Sequence, residues 1–247
     1  MTLFRDEHAT SRTAPPRHRV AAALIGTILL LAGVTVAHRL GPAHAGLFVA
    51  PPVAALLLLL ARYAGLSWED LGVARRTWRR GIVYAAAAIV LVAAGYAVAA
   101  ALPATRAAFL DSRYHLPTTT GVLTAFIVVP VGTVLLEEVA FRGVLFGLVR
   151  RHRGGWTGAG TSSALFGLWH VVPSLGLSTV NPGVRALVGH GLHGQIAGVL
   201  AATLFTGVVG LLFCELRRRS GSLLASAGLH WAANALGVVV AMLVWRS

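Results

Sequence analysis

Residues 121–150 read GVLTAFIVVPVGTVLLEEVAFRGVLFGLVR, an apolar run that holds Glu137, Glu138 and Arg142 in its interior and ends at the first arginine of a basic cluster. A helix needs roughly 20 consecutive apolar residues to cross the hydrocarbon core of a bilayer, and this run exceeds that. An ionisable side chain at membrane depth costs about 2.5–3.5 kcal/mol on insertion scales, so a chain that keeps three of them uses them on one another or on a substrate.

Working outward, further apolar runs lie at about residues 20–37, 46–63, 82–102, 157–174, 195–214 and 222–245, which with 119–148 makes about seven transmembrane helices. Composition agrees: 56% of residues are hydrophobic, 12% are charged and the mean hydropathy is +0.75. A soluble domain carries about 25% charged residues. The expectation is an all-α polytopic membrane protein with its active site inside the helix bundle. Residues 19–247 form one transmembrane domain, with a motif-bearing core at 119–246, and residues 1–18 form a disordered cytoplasmic tail. No tandem repeat or low-complexity tract is visible.

The formal charge of +13 suggests nucleic acid at first sight, but every basic residue apart from histidine is arginine, and most arginines sit in short clusters between apolar runs. That distribution is topological and argues against a nucleic-acid partner. Arginines precede the first run and follow the second, fourth and sixth, with few on the alternate connections, so the positive-inside rule puts the N-terminus in the cytoplasm and the C-terminus outside. The bias towards Arg, Ala, Gly and Val suggests a GC-rich bacterial source and a cell-membrane location. Cys214 is the only cysteine, which excludes an intrachain disulfide and a thiolate metal cluster.

Ala43-His44-Ala45 resembles a signal-peptide cleavage site, but the preceding apolar run is longer than the roughly 7–15 residues of a secretory core. The stretch Ser67 to Arg80, with Trp68, Leu71 and Trp78 among charges, reads as an interfacial segment on the cytoplasmic surface. Gly176 to Gln195 is the longest polar connection. Its His190 and His193 form a conceivable metal pair, although glycine-rich surroundings without a carboxylate favour a solvated outer loop or lid.

Two further patterns join the first: Phe166-x-x-x-His170 and His230-x-x-x-Asn234. Residues four apart share a helix face, so Glu138 pairs with Arg142 while Glu137 points about 100° away. One carboxylate is thereby neutralised and the other stays available as a base. The structural alternative is an ion-pair network that ties helices together. Phe166, Trp169 and Trp231 read as packing. The cytoplasmic clusters place Glu137, His170 and His230 each roughly 15–25 Å along their helices, so they can meet near mid-membrane.

Taken together, Glu137-Glu138-Val139-Ala140-Phe141-Arg142, Phe166-Gly167-Leu168-Trp169-His170, and Ser222 through His230 to Asn234 resemble the three motifs of the CPBP family of intramembrane endopeptidases, the CAAX-protease and bacteriocin-processing (Abi) group. The match in order, spacing and residue type covers residues 120–240; earlier helices share only their apolarity. The resemblance implies a peptide hydrolase in which Glu137 activates water, His170 assists, His230 and Asn234 stabilise the oxyanion, and Glu138 and Arg142 brace the site. It implies no cofactor, and a peptide or protein partner at the membrane.

Other intramembrane chemistries fit less well, since HExxH, GxGD and GxSG patterns are absent. Glu137, His170, His230 and Asn234 nevertheless supply donors for an open zinc site, so a zinc-dependent form of the protease stays open, with Glu137, His170 and His230 as ligands. So does a non-enzymatic immunity, scaffold or transporter protein that uses the same buried polar cluster. Oligomeric state is not legible in the sequence.

Overall fold

The computed structural model describes residues 17–42 and 44–247, and among them every regular element is helical. Six helices are long and apolar enough to cross a membrane: Arg17–Leu40, Gly46–Tyr63, Arg75–Ala101, Thr118–Arg153, Gly191–Ser220 and Leu223–Val244. The protein is a multi-pass membrane protein. The first helix starts at Arg17, two residues inside the stretch expected to be tail, and the remainder of that stretch lies outside the described residues.

The fifth apolar run departs from expectation. It forms a helix only over Gly155–Trp169, 15 residues, and then breaks into successive tight turns through residue 176. Pro173 explains the stop, because it has no N–H for the Trp169 carbonyl and its ring collides with that turn. At about 1.5 Å per residue this helix is roughly 22 Å long, short of a full span. The segment nonetheless runs from one end of the bundle to the other, as both of its flanks show. Before the helix, Arg150 and Arg151 reach Asp70 (3.4 and 3.6 Å), and after it Asn181 donates to the Ala108 carbonyl and to Asp111 at the other end of the bundle. Turns at membrane depth are tolerated where the protein satisfies their backbone, and here Ser174 N bonds His170 O and Leu177 N bonds Ser174 O.

Arginines from distant parts of the sequence collect at one end. Arg19 lies over the Tyr63 ring, Arg151 donates to Gly65 O, and buried Arg217 donates to the carbonyls of Glu69 and Asp70, each at 2.9 Å. Those contacts hold the short helix Trp68–Leu71, whose start is closed by a reciprocal Ser67–Asp70 capping box. Burial pushes the Asp70 carboxyl up, but the Ser67 hydrogen bonds, Arg150 and Arg151 outweigh it and hold its pKa below the usual value. Gly72 follows with φ +77°, and a Cβ there would run into the Arg217 guanidinium, so both conformation and space demand glycine.

Opposite, buried Asp111 accepts from Arg113 at 2.7 and 2.9 Å, and the Trp245 indole donates to Asp111 O at 3.2 Å. The expected long polar connection is in fact mostly helical: Leu177–Val180 and Pro182–Val188 occupy it, the second capped by the Asn181 side chain. His190 and His193 are both exposed there.

Thr118–Arg153 is the axis of the bundle. Every residue from 136 to 148 is buried, the mark of a helix packed on all sides. It widens into π turns at Thr124–Val128, Pro130–Val134 and Glu138–Leu145, the first two meeting around Pro130, whose missing N–H disrupts ordinary helical bonding. Leu223–Val244 carries another at Ala232–Leu236. π turns gather at functional sites more often than elsewhere, and two of these four begin at or just after a charged motif residue. Gly155–Trp169 packs closely on Gly191–Ser220, where a Cβ on Gly167 would stand 2.6 Å from Thr203 O, so glycine permits the approach that seats Trp169 and His170 against the axis.

Candidate active site

Three helices converge on the buried carboxylates. Glu138 Oε1 accepts from Arg142 Nη1 at 3.0 Å and lies 2.9 Å from His230 Nδ1. Glu137 faces away from Arg142, as helical geometry requires. Its Oε1 accepts from the Trp169 indole Nε1 at 3.0 Å, and its Oε2 stands 3.6 Å from His230 Nε2. His230 therefore bridges the two carboxylates, one through each ring nitrogen. Glu137 is 6% exposed, Glu138 2%, Arg142 0% and His230 3%.

Electrostatics restrict the protonation of this cluster. With both carboxylates ionised and Arg142 charged, the group carries one excess negative charge in a medium that penalises it. Nδ1 of His230 must donate to Glu138, because a carboxylate oxygen cannot, so a neutral ring would present its Nε2 lone pair to Glu137. Glu137 Oε2, 3.6 Å from that ring nitrogen, makes no hydrogen bond to it. The site thus sets an imidazole nitrogen beside a carboxylate that no arginine neutralises.

Aromatic rings form the rest of the wall. The Arg142 guanidinium carbon sits 3.8 Å from the Phe166 ring centroid and 4.5 Å from that of Phe213, and a cation between two rings in a desolvated site gains about 2 kcal/mol or more. His230 stacks on Phe213 at 5.1 Å. Phe166 thereby does more than fill space: it screens the buried cation, and its carbonyl holds His170 Nδ1 at 2.8 Å. A carbonyl only accepts, so His170 carries its proton on Nδ1 and, when neutral, offers Nε2 as an acceptor.

Of the residues singled out in the sequence, the structure gathers Glu137, Glu138, Arg142 and His230 into one bonded set. It puts His170, half-buried, next to Trp169 with its ring 4.5 Å from Phe166. Asn234 lies on the π turn one turn beyond His230, exposed and without a hydrogen bond among the described residues. Trp169 is the residue the sequence reading passed over. A half-buried indole N–H requires an acceptor, and a carboxylate on a neighbouring helix at similar depth was the available one. Four polar atoms of the set, Glu137 Oε2, Glu138 Oε2, Arg142 Nε and Arg142 Nη2, are buried without a hydrogen bond.

The residues named for zinc do not assemble as ligands. Among the described residues no three His, Cys, Asp or Glu side chains gather around a point that could hold a metal ion, and both nitrogens of His230 face carboxylates.

Residues 119–236 match the family model for the Type II CAAX prenyl endopeptidase, Rce1-like. No curated protein and no solved structure matches the chain. Residues 119–236 are thus similar to the Rce1-like CAAX protease domain, within the CPBP/Abi group, a likeness that implies an intramembrane protease that acts on protein.

Proposed function

We propose that this family domain is an intramembrane endopeptidase that cleaves a membrane-associated or lipidated polypeptide by a water activated at Glu137. The observation that carries the reading is the unequal treatment of adjacent buried carboxylates: Glu138 is tied to Arg142 and His230 Nδ1, whereas Glu137 meets an indole N–H and stands 3.6 Å from His230 Nε2. A base must be able to take up a proton; Glu137 can, and Glu138 is committed.

In the proposed reaction Glu137 Oε2 accepts a proton from water as the water oxygen attacks the scissile carbonyl carbon. That proton then passes to the leaving amine directly or through His230 Nε2. His170 Nε2, free to accept, orients the water. The Asn234 NH2 and the His230 Nε2 proton stabilise the oxyanion of the tetrahedral intermediate. Trp169 positions Glu137, since an indole donor to Oε1 leaves Oε2 as the basic oxygen. The buried, unpaired atoms of Glu137 and Arg142 supply polar surface where a peptide group or water is held.

The test is cleavage of a quenched peptide library, with prenylated CAAX peptides included, by protein purified in detergent. Activity that survives chelator supports the glutamate mechanism; loss on chelation with recovery on zinc replaces it with a metalloprotease. Trp169→Phe keeps the ring and removes the donor. It should lower kcat by about tenfold with KM little changed, the signature of a group that acts on the transition state through the base. A rise in KM alone would instead make Trp169 part of the substrate wall.

The arginine-rich end is assigned to the cytoplasm, since Arg19, Arg62, Arg150, Arg151 and Arg217 all contact residues of the 63–73 region there. A phosphatase fused to the C-terminus should accordingly be active outside the cell, and a fluorescent reporter on the N-terminus should fold inside. An inactive C-terminal phosphatase would mean an even number of crossings.

A further inference from the structure

Beside the start of the Arg75–Ala101 helix lies an open groove between Trp68 and Trp78, floored by Val73 and Ala74 and edged by Arg75 and Arg76. Both tryptophans are large apolar groups left outside the core, 48% and 45% exposed. Arg79 and Arg80 follow one turn on, and all four arginines are exposed. Their anionic neighbours do not balance them. Glu69 lies 3.4 Å from Arg76 in an exposed pair of small expected strength, and Asp70 is directed to Arg150 and Arg151. Among the described residues Arg79 makes no hydrogen bond or ion pair.

From this we infer that the groove is a binding site for the headgroup of an anionic phospholipid. Two guanidinium groups, those of Arg75 and Arg76, edging one opening match a phosphodiester, to which arginine donates in bidentate fashion. Indole rings at such a site occupy the glycerol and upper acyl region, as amphipathic aromatics do at membrane interfaces. Past the groove the same helix exposes Ile82 and Val83, 57% and 62%, the start of an apolar track on which an acyl chain can lie. A free phosphate would use only the arginines. An acidic peptide would have no use for the apolar track.

The test compares lipid retained by protein purified from bilayers of mixed phosphatidylglycerol and phosphatidylcholine, read by native mass spectrometry. Wild type should retain phosphatidylglycerol selectively, and excess inorganic phosphate should not displace it. The variant Arg75→Gln/Arg76→Gln/Arg79→Gln should lose at least about tenfold in retention, because arginines near an anionic surface each add to binding. A control, Arg17→Gln/Arg19→Gln/Arg153→Gln, removes equal charge from the same end and should stay near wild type. Equal loss in both variants, displacement by phosphate, or no selectivity in wild type would overturn the site. Should the triple variant fail to insert, Arg75→Gln alone must still lower retention by about threefold; unchanged retention there also overturns it.

Discussion

Glu137→Gln is expected to lower peptide hydrolysis by roughly a thousandfold, within the range attributed to a general base, while leaving the fold intact. The amide matches the carboxylate in size, and its oxygen can still accept from the Trp169 indole at the place of Oε1. Its NH2 then faces His230 Nε2, where a donor suits a neutral imidazole lone pair. Every contact of the wild-type side chain has a counterpart in the variant, and the buried cluster loses no cation. Thermal unfolding in detergent should therefore fall within about 1 kcal/mol of wild type, the ordinary scale of a conservative exchange. Only basicity is removed. Full activity in this variant would end the assignment of Glu137; lost activity together with a collapsed melting transition would show that the carboxylate is structural, as the ion-pair reading of the sequence holds.

Much of this arrangement was legible because membrane physics restricts the alternatives. Hydropathy marked all seven apolar runs, and helical periodicity alone separated Glu138, which pairs with Arg142, from Glu137, which does not. What periodicity cannot supply is the partner on another helix. His230 reaches Glu138 and Glu137 from 92 and 93 residues away, a partner that no local pattern around the carboxylates reveals. Trp169 was hidden for the same reason: an indole looks apolar in a hydropathy scan, and its donor matters only once an acceptor faces it. The short fifth helix was visible in principle, since Val172-Pro173 sits within the run and proline ends a helix by a local rule. The polar connection before Gln195 misled in the other direction. Pro182 at a first helical position and Asn181 as its cap are start signals that glycine content obscured.

The largest loss of stability is expected at Arg142. Arg142→Met removes a guanidinium that is fully buried, bonded to Glu138 and enclosed by Phe166 and Phe213. Glu138 would be left with His230 as its sole strong partner, and breaking a buried ion pair in this way costs about 3–5 kcal/mol. Glu138→Gln should be damaging in the same way, because it leaves Arg142 as the unpaired ion. The two changes together remove both charges at once. If the single variants suffer from the orphaned partner rather than from lost packing, Glu138→Gln/Arg142→Met should recover at least half of the stability lost in the worse single, a coupling that denaturation of all four proteins in one detergent would measure. Additive losses would instead place the energy in the Phe166 and Phe213 contacts. Recovered stability without recovered activity is the informative combination. It would mean that the pair exists to hold His230 Nδ1 and so to aim Nε2 at Glu137, a requirement of catalysis that a neutral core satisfies in volume but not in direction.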